Sequence, residues 1–320
     1  MIDLSIAIVS YNTKDVLLDC LRSVHAHTHG IGFEVIVVDN DSRDGTVAAL
    51  RDAYPGMRII ANPDNRGFAK AVNQAQAVSR GRHILLLNSD TIVSEDTFAA
   101  MVEYLDHHPN VGAVNCKQRT GEGHVSRTCF PFPSLRDHVS YCSLFQRVAP
   151  RIQAAAVATL AVDSTLSQDV DWANGACLMV RLELLRTLGG LDEGFFMYFE
   201  DIDLCKRIHR QGYRVHHLAE AEIVHLVGRS SGRVIDRLNL EWELSRILYV
   251  EKHFSPVNRM AMKCWIAAGI ALRMVCLLGG QSTPSQRRQL MQNHLTSLRR
   301  LARTRAQPEQ LFAMSHERRS

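Results

Sequence analysis

Three carboxylates, Glu200, Asp201 and Asp203, follow directly on an aromatic and methionine-rich run in "GFFMYFEDIDLCKRIHRQGY", residues 194–213. A carboxylate beside side chains that exclude water is suited to general-base chemistry, because desolvation raises its affinity for a proton. Acidic residues at a helix start are also ordinary capping groups that complement the positive end of the helix dipole. A second set lies far upstream, where Tyr11, Asp39, Asn40, Asp41, Ser89 and Asp90 follow apolar runs. An Asp in such a place can hold a divalent cation or accept from a ligand, or it can shape an Asx turn or cap a helix.

The elements that must position these residues are short apolar runs alternating with helical spacing. "LSIAIVSYN", "FEVIVVDNDS" and "GRHILLLNSDT" each have the character of a buried parallel strand whose C-terminal end turns polar. Between them, Val16, Leu17, Cys20, Leu21 and Val24, then Val47, Ala48 and Leu50, then Ala69, Val72, Asn73 and Ala77 predict helices. This alternation predicts an open α/β sheet, in which ligands bind beyond the carboxyl ends of the strands. Downstream, a helix starting near Glu200 turns Leu204, Cys205 and Ile208 to the core, and Asp203 is placed to pair with Arg207 one turn on.

Several function classes are excluded. The turn after the first strand, "SYNTKDVL", has no glycine, which removes the dinucleotide-binding fingerprint, and no Walker loop is present. Phosphates would then need another counter-charge. A divalent metal, Mg²⁺ or Mn²⁺ on Asp90, is the natural substitute. No zinc-finger spacing, RNP-like stretch or basic heptad region points to nucleic acid.

Taken together, "VSYN", "VVDNDSRDGT", "NPDNRGFAKAVNQ", "LLLNSDT", "DWANGACLMVR" and "GGLDEGFFMYFEDIDLCKRIHRQGY" resemble family 2 glycosyltransferases, in their order and spacing. The likeness is to the bacterial rhamnosyltransferase-like branch, whose metal motif reads N-x-D, and it spans roughly residues 3–255. It implies a GT-A fold, a mostly parallel open sheet flanked by helices with a C-terminal helical extension. It also implies a nucleotide-diphosphate sugar donor, a divalent metal and inversion at the anomeric carbon.

Position by position, the resemblance sets Tyr11 near the donor base, has Asp39 accept from the pyrimidine N3–H, and puts Asp41 beside it. Asn65 and Gly67 shape a turn from which Arg66 or Lys70 reaches donor phosphate; a solvated helix face is the other reading of Lys70. Asn88 and Ser89 precede the metal ligand Asp90, and His225 is the candidate further ligand. Asp201 is the base, with Glu200 positioning the acceptor or serving as the alternative base. Trp172, Asn174 and Gly175 border the acceptor cavity, although core packing explains Trp172 equally well. Arg229 or Arg233 in "GRSSGR" would meet the charge of the leaving diphosphate; a plain surface loop is the other reading of this segment.

The expected organisation is a catalytic domain over residues 1–255, with a nucleotide half (1–110) and an acceptor half (111–255). An apolar amphipathic helix (256–281) and a basic, helical or partly disordered tail (282–320) follow. Lys263 and Arg273 interrupt the apolar segment, so it is read as lying at a membrane surface with Trp265 at headgroup level, or as a core or dimer contact. The tail carries eight arginines against Glu309 and Glu317, which favours an anionic surface. The eight cysteines form no C-x-x-C pair and are read as buried hydrophobes of a reducing compartment. The N-terminus has no secretory pattern, so the expected place is the cytoplasm, at the inner face of the membrane.

The function expected is transfer of a sugar, L-rhamnose from dTDP-rhamnose, to a saccharide or polyprenyl-linked saccharide in cell-surface polysaccharide synthesis. A UDP-hexose donor and a non-catalytic sugar-nucleotide-binding scaffold are the alternatives.

Overall fold

The computed structural model describes residues 2–94, 96–134, 162–226, 235–278 and 284–302. The chain forms two compact units. The first opens with the expected alternation of β1 (Leu4–Ser10), α1 (Lys14–His27), β2 (Phe33–Asn40), α2 (Thr46–Ala53), β3 (Arg58–Asn62), α3 (Phe68–Val78) and β4 (His83–Asn88). It continues with β5 (Thr91–Val93), α4 (Thr97–His107), β6 (Val111–Arg119), β7 (Cys129–Phe130), β8 (Gln168–Val170), β9 (Trp172–Ala173) and β10 (Cys177–Arg181). Helices α5 (Leu182–Thr187) and α6 (Glu200–Arg210) and the long β11 (Arg214–His225) complete it.

One sheet runs in the order β3-β2-β1-β4-β10-β6-β11-β5, with β8 also on β11, and β7 pairs separately with β9. Strands β3, β2, β1 and β4 are parallel neighbours, as are β6 and β11. Strand β10 enters antiparallel between β4 and β6. The central strands are apolar on both sides because helices cover both faces. Leu4, Ile6 and Ile8 of β1 pack with Leu17 and Leu21 of α1 and Phe98 and Met101 of α4. The alternate residues Ala7, Ile36, Val38, Ile84 and Leu86 pack with Val72 of α3, Leu185 of α5 and Leu204, Cys205 and Ile208 of α6. Two residues of the expected apolar spacing, Ala48 and Ala77, face solvent instead, since short helices on a sheet bury only a narrow stripe. Cys20, Cys116, Cys129, Cys177 and Cys205 are buried free thiols, and Cys264 is exposed. Cys142 lies outside the described residues.

The second unit comprises α7 (Ile235–His253), α8 (Pro256–Leu278) and α9 (Pro284–Ala302), together with segment 193–199. Ile247, Val250, Met262, Ile266, Ile270 and Leu301 form its core, with Trp265 packed against it. Phe199 meets the rings of Trp242 and Tyr249, and Ser245 Oγ donates to the Met197 carbonyl at 2.8 Å, which fixes segment 193–199 on α7.

The expectation that Lys263 and Arg273 extend to a headgroup layer is corrected here. Lys263 pairs with Glu251 at 2.9 Å and Arg273 with Glu243 at 3.2 Å, so both turn towards α7. Trp265 likewise belongs to the helical core rather than to a surface. Among the described residues no helix is long and apolar enough to cross a membrane. The tail is helical over α9, and residues 303–320 lie outside the described part.

Asp203 is fully buried and accepts from Arg207 Nε at 2.8 Å, one turn on as the spacing predicts. Arg207 Nη1 also donates to the carbonyls of Leu188 and Gly190, so this pair ties α6 to the segment after α5. Asp203→Ala strands a largely buried guanidinium and should cost about 3–5 kcal/mol in chemical denaturation. A loss below about 1 kcal/mol would mean that the pair behaves as an exposed one.

Candidate active site

The first two strand-end loops are bonded to each other. Asn12, at φ 54°, donates its N–H to Ser42 Oγ at 2.8 Å and accepts from the Arg43 N–H at 2.7 Å. Thr13 makes no side-chain cap bond to α1, and the N–H of Lys14 instead donates to Asp44 Oδ2 at 2.9 Å. Tyr11 stands at the rim of these loops with 41% of its surface exposed.

Asp39, at the end of β2, is buried. Its Oδ1 accepts from the Ser42 N–H at 2.9 Å, which is the Asx turn that the local sequence allows. Its Oδ2 is also buried but has no hydrogen-bond partner. A buried carboxylate oxygen without a donor is costly, and it fits a ligand N–H as its missing partner. Asp41 lies at the edge, at φ 68°, 3.6 Å from Arg43, and it shares none of this burial.

Behind Asp39, an amide network fixes the next loop. Asn62 Nδ2 donates to Asn40 Oδ1 and to Gln74 Oε1, both at 2.8 Å, and Asn40 Nδ2 donates to the Gly67 carbonyl at 3.1 Å. Gly67 has φ 83° and ψ 171°, a conformation open essentially to glycine alone, so the loop can enter α3 at this angle. Asn65 Oδ1 accepts from the Gly67 N–H at 3.0 Å, forming the expected turn. Arg66 pairs with Asp64 at 2.9 Å, and Lys70 is exposed on the first turn of α3.

Asp90 and His225, 135 positions apart, are brought together by the antiparallel pairing of β5 with β11, in which His225 lies opposite Thr91. His225 Nε2 is 3.2 Å from Asp90 Oδ1 and 3.4 Å from Asn88 Nδ2. The Leu226 N–H donates to the Asp90 carbonyl at 2.8 Å, and Thr91 Oγ1 donates to the Asn88 carbonyl at 2.8 Å, which holds the "NSD" turn. Ser89 is buried within it. A carboxylate, an imidazole and a carboxamide thus converge. No three His, Cys, Asp or Glu side chains form a metal-binding group among the described residues. That donor set fits Mg²⁺ or Mn²⁺, which takes a few protein ligands and completes its shell with phosphate oxygens and water.

Asp201 is held from two sides. Its Oδ2 accepts from the Gly175 N–H at 3.0 Å and its Oδ1 from the Ile202 N–H at 2.8 Å. A Cβ on Gly175 would meet Asp201 only at ordinary contact distance, so the N–H is what the turn contributes there. Its neighbour Ala176 accepts from the Asn88 N–H at 2.9 Å, and Asn174 exchanges amide hydrogen bonds with the buried Gln118 of β6 at 2.7 and 3.3 Å. One three-residue turn therefore connects the Asp90 side to the Asp201 side. Trp172 is half-buried; its Nε1 donates to the Pro131 carbonyl at 2.9 Å and its ring stacks on Phe130 at 4.7 Å. Arg229 and Arg233 lie outside the described residues.

Glu200 is buried, and its Oε2 has no hydrogen-bond partner. Desolvation, followed by the adjacent Asp201 carboxylate, pushes its pKa well above the usual carboxylate range. Desolvation raises that of Asp201 as well, against the opposing Gly175 and Ile202 N–H bonds. The groups that sequence reasoning missed are Asn12, which bridges the two loops, and Gln118, whose side-chain amide holds Asn174. Gln118 carried a signal, a polar residue inside the apolar strand "VGAVNCKQR".

An open α/β sheet with polar groups gathered at its strand ends, and with antiparallel strands bringing a histidine and a helix-start acid to them, is the architecture of GT-A glycosyltransferases. The model of glycosyl transferase family 2 matches residues 5–145, and that of glycosyl transferase family group 2 matches residues 83–284. The chain belongs to this glycosyltransferase family, on its rhamnosyltransferase-like side.

Among its relatives, the N-acetylglucosaminyl-diphospho-decaprenol L-rhamnosyltransferase of Mycobacterium tuberculosis is 27% identical over 270 residues, covering 80% of this chain and 87% of that protein. Rhamnosyltransferase WbbL of Escherichia coli is 26% identical over 229 residues, or 69% of this chain and 82% of that one. The mannosyltransferase PcManGT of Pyrobaculum calidifontis, solved with GDP-Man and Mn²⁺, shares the fold at a TM-score of 0.55. It is 19% identical, over 93% of this chain and 84% of that one.

The raised acids have a consequence for stability. A carboxyl whose folded pKa exceeds its unfolded value binds more protons when folded, so stability falls as pH rises from the unfolded values, 3.8 for Asp201 and 4.5 for Glu200, through the raised ones. Glu200→Gln should remove part of this slope. Measured by denaturation from about pH 4 to about pH 8, the variant should gain on the wild type as pH increases. A constant difference would show that Glu200 ionises without penalty.

Proposed function

We propose that this chain is a metal-dependent inverting glycosyltransferase that moves L-rhamnose from dTDP-rhamnose to a lipid-linked saccharide in the building of a polysaccharide. The observation that carries the reading is the turn Asn174–Ala176, which bonds both Asn88, beside Asp90, and Asp201. Inversion requires a base on the face of the sugar opposite the leaving diphosphate, and these two groups are held by one rigid element. The donor base would be read at Asp39, whose buried Oδ2 awaits an N–H, with Tyr11 beside it at the rim. Arg66 and Lys70 would reach the diphosphate as point charges.

Asp90 and His225 would hold a divalent ion, which when bound neutralises the charge of the diphosphate. The acceptor hydroxyl oxygen attacks the anomeric carbon, forming the new C–O bond while the bond to the diphosphate oxygen breaks. Asp201 takes the hydroxyl proton, and the nucleoside diphosphate leaves with the electron pair of the broken bond. Asp201 suits this role because burial raises its proton affinity while two N–H bonds fix its orientation. Glu200, buried without a partner on Oε2, would position the acceptor hydroxyl. The choice of rhamnose and of a lipid-linked acceptor follows the activity of the mycobacterial relative, whose alignment covers most of both chains.

Asp201→Asn should lower transfer by about 10²–10⁴-fold, the usual contribution of a general base, with donor binding retained. Calorimetric titration with dTDP and UDP, with and without Mn²⁺, should show metal-dependent binding that Asp90→Ala and His225→Ala weaken. Asp39→Asn should weaken nucleotide binding about tenfold or more, since a hydrogen bond to a charged group contributes roughly 1.5–3 kcal/mol. Absence of diphosphate binding would overturn the reading, binding without transfer would favour the scaffold, and a preference for UDP would replace the donor.

A further inference from the structure

Helix α8 buries Met262, Ile266 and Ile270 as an ordinary helix does, but it also turns its charges inward and leaves a second apolar row outside. At 3.6 residues per turn, Val257, Ala261, Cys264, Ala268, Ala271 and Val275 fall on one line, with Met260 beside it. All of these are exposed, Val257 to 79%, Met260 to 62% and Val275 to 64%. The basic residues of α8 fall away from this line. Lys263 and Arg273 are held by Glu251 and Glu243, and Arg259 Nη2 donates to the Phe254 carbonyl at 3.1 Å. A stripe about 27 Å long, at 1.5 Å per residue, therefore meets the surroundings with no charged side chain on it. Single exposed apolar residues are ordinary, but a continuous row of them along five turns is not.

We propose that this stripe of α8 is the surface by which the protein lies on an anionic lipid leaflet, its axis along the plane of the interface. Two features select lipid over protein. The stripe carries no polar side chain, whereas protein interfaces normally include about one hydrogen bond per 100–200 Å². Apart from Lys263, Arg273 and Arg300, which pair with glutamates of α7, the chain from residue 256 onward has eight Arg against two Glu, and Arg288 and Arg299 are exposed on α9. A second copy would bring two such basic segments together, while an anionic surface complements them. Apolar area entering the headgroup boundary, with basic residues alongside, is the usual composition of an interfacial helix. The residues at the lipid differ from those the sequence suggests: Val257, Met260 and Val275 face it, and Trp265, Lys263 and Arg273 face the helical core. The assignment stands independently of the donor and base assignments.

The test is flotation of the full chain with vesicles of phosphatidylcholine alone and of phosphatidylcholine with phosphatidylglycerol. It is run for the wild type and for the conservative surface variant Met260→Gln/Val275→Ser, each also checked for binding of dTDP with Mn²⁺. The expected result is binding to the anionic vesicles only, weakened at least tenfold in the double variant and by added salt, with nucleotide binding the same in both proteins. Failure of the wild type to bind anionic vesicles, or binding that the double variant leaves unchanged, would overturn the proposal. So would self-association, followed by sedimentation velocity, that the double variant abolishes, because the stripe would then belong to a second copy.

Discussion

The turn from Asn174 to Ala176 is the constraint on which the site rests. Strand β10 must run antiparallel between β4 and β6, so the turn before it arrives where β4 ends at Asn88. The Asn174 N–H is held by the Thr128 carbonyl, the Gly175 N–H by Asp201 and the Ala176 carbonyl by the Asn88 N–H. Consecutive backbone groups thereby fix the Asp201 carboxylate and the backbone of Asn88, two residues before Asp90. Backbone donors in a sheet turn have little freedom to move, and catalysis by positioning depends on that rigidity.

Polar groups placed in this way make the region costly. Tyr198 and Phe199 take consecutive positive φ values of 69° and 66° immediately before α6, and each such residue costs on the order of 1–3 kcal/mol. Glu200 and Asp39 each leave a buried carboxylate oxygen without a partner. Apolar packing on both faces of the sheet offsets these costs, since β1, β2 and β4 are buried on either side. Strain before a helix start and orphaned carboxylates at a strand end and that helix start are the pattern of residues kept for binding and chemistry.

In the helical unit the electrostatics follow a different rule. Glu243 and Glu251 of α7 draw basic residues of α8 and α9 inward, with Arg246 also on Glu243 and Arg300 near Glu251. Largely desolvated pairs need good geometry to compensate for their lost hydration, and here several cations share two carboxylates. The consequence is an outer face of α8 left to apolar side chains.

The sequence alone determined the early βαβ alternation and the strands ending at Ser10, Asn40 and Asn88, because a strand buried on both faces must be apolar throughout and can turn polar only at its end. It also placed the start of α6 and the Asp203–Arg207 pair, since helical periodicity is local. The proximity of His225 to Asp90 was proposed from resemblance, and the β5–β11 register supplies the contact. Only the tertiary structure decided which side of α8 carries its charges, because Glu243 and Glu251 lie on another helix. Tertiary structure likewise put Trp172 on Phe130 and set Gly175 as the donor to Asp201. Hydrogen bonds from backbone and across loops leave no mark in residue type, and an ion pair between helices is written in neither helix by itself.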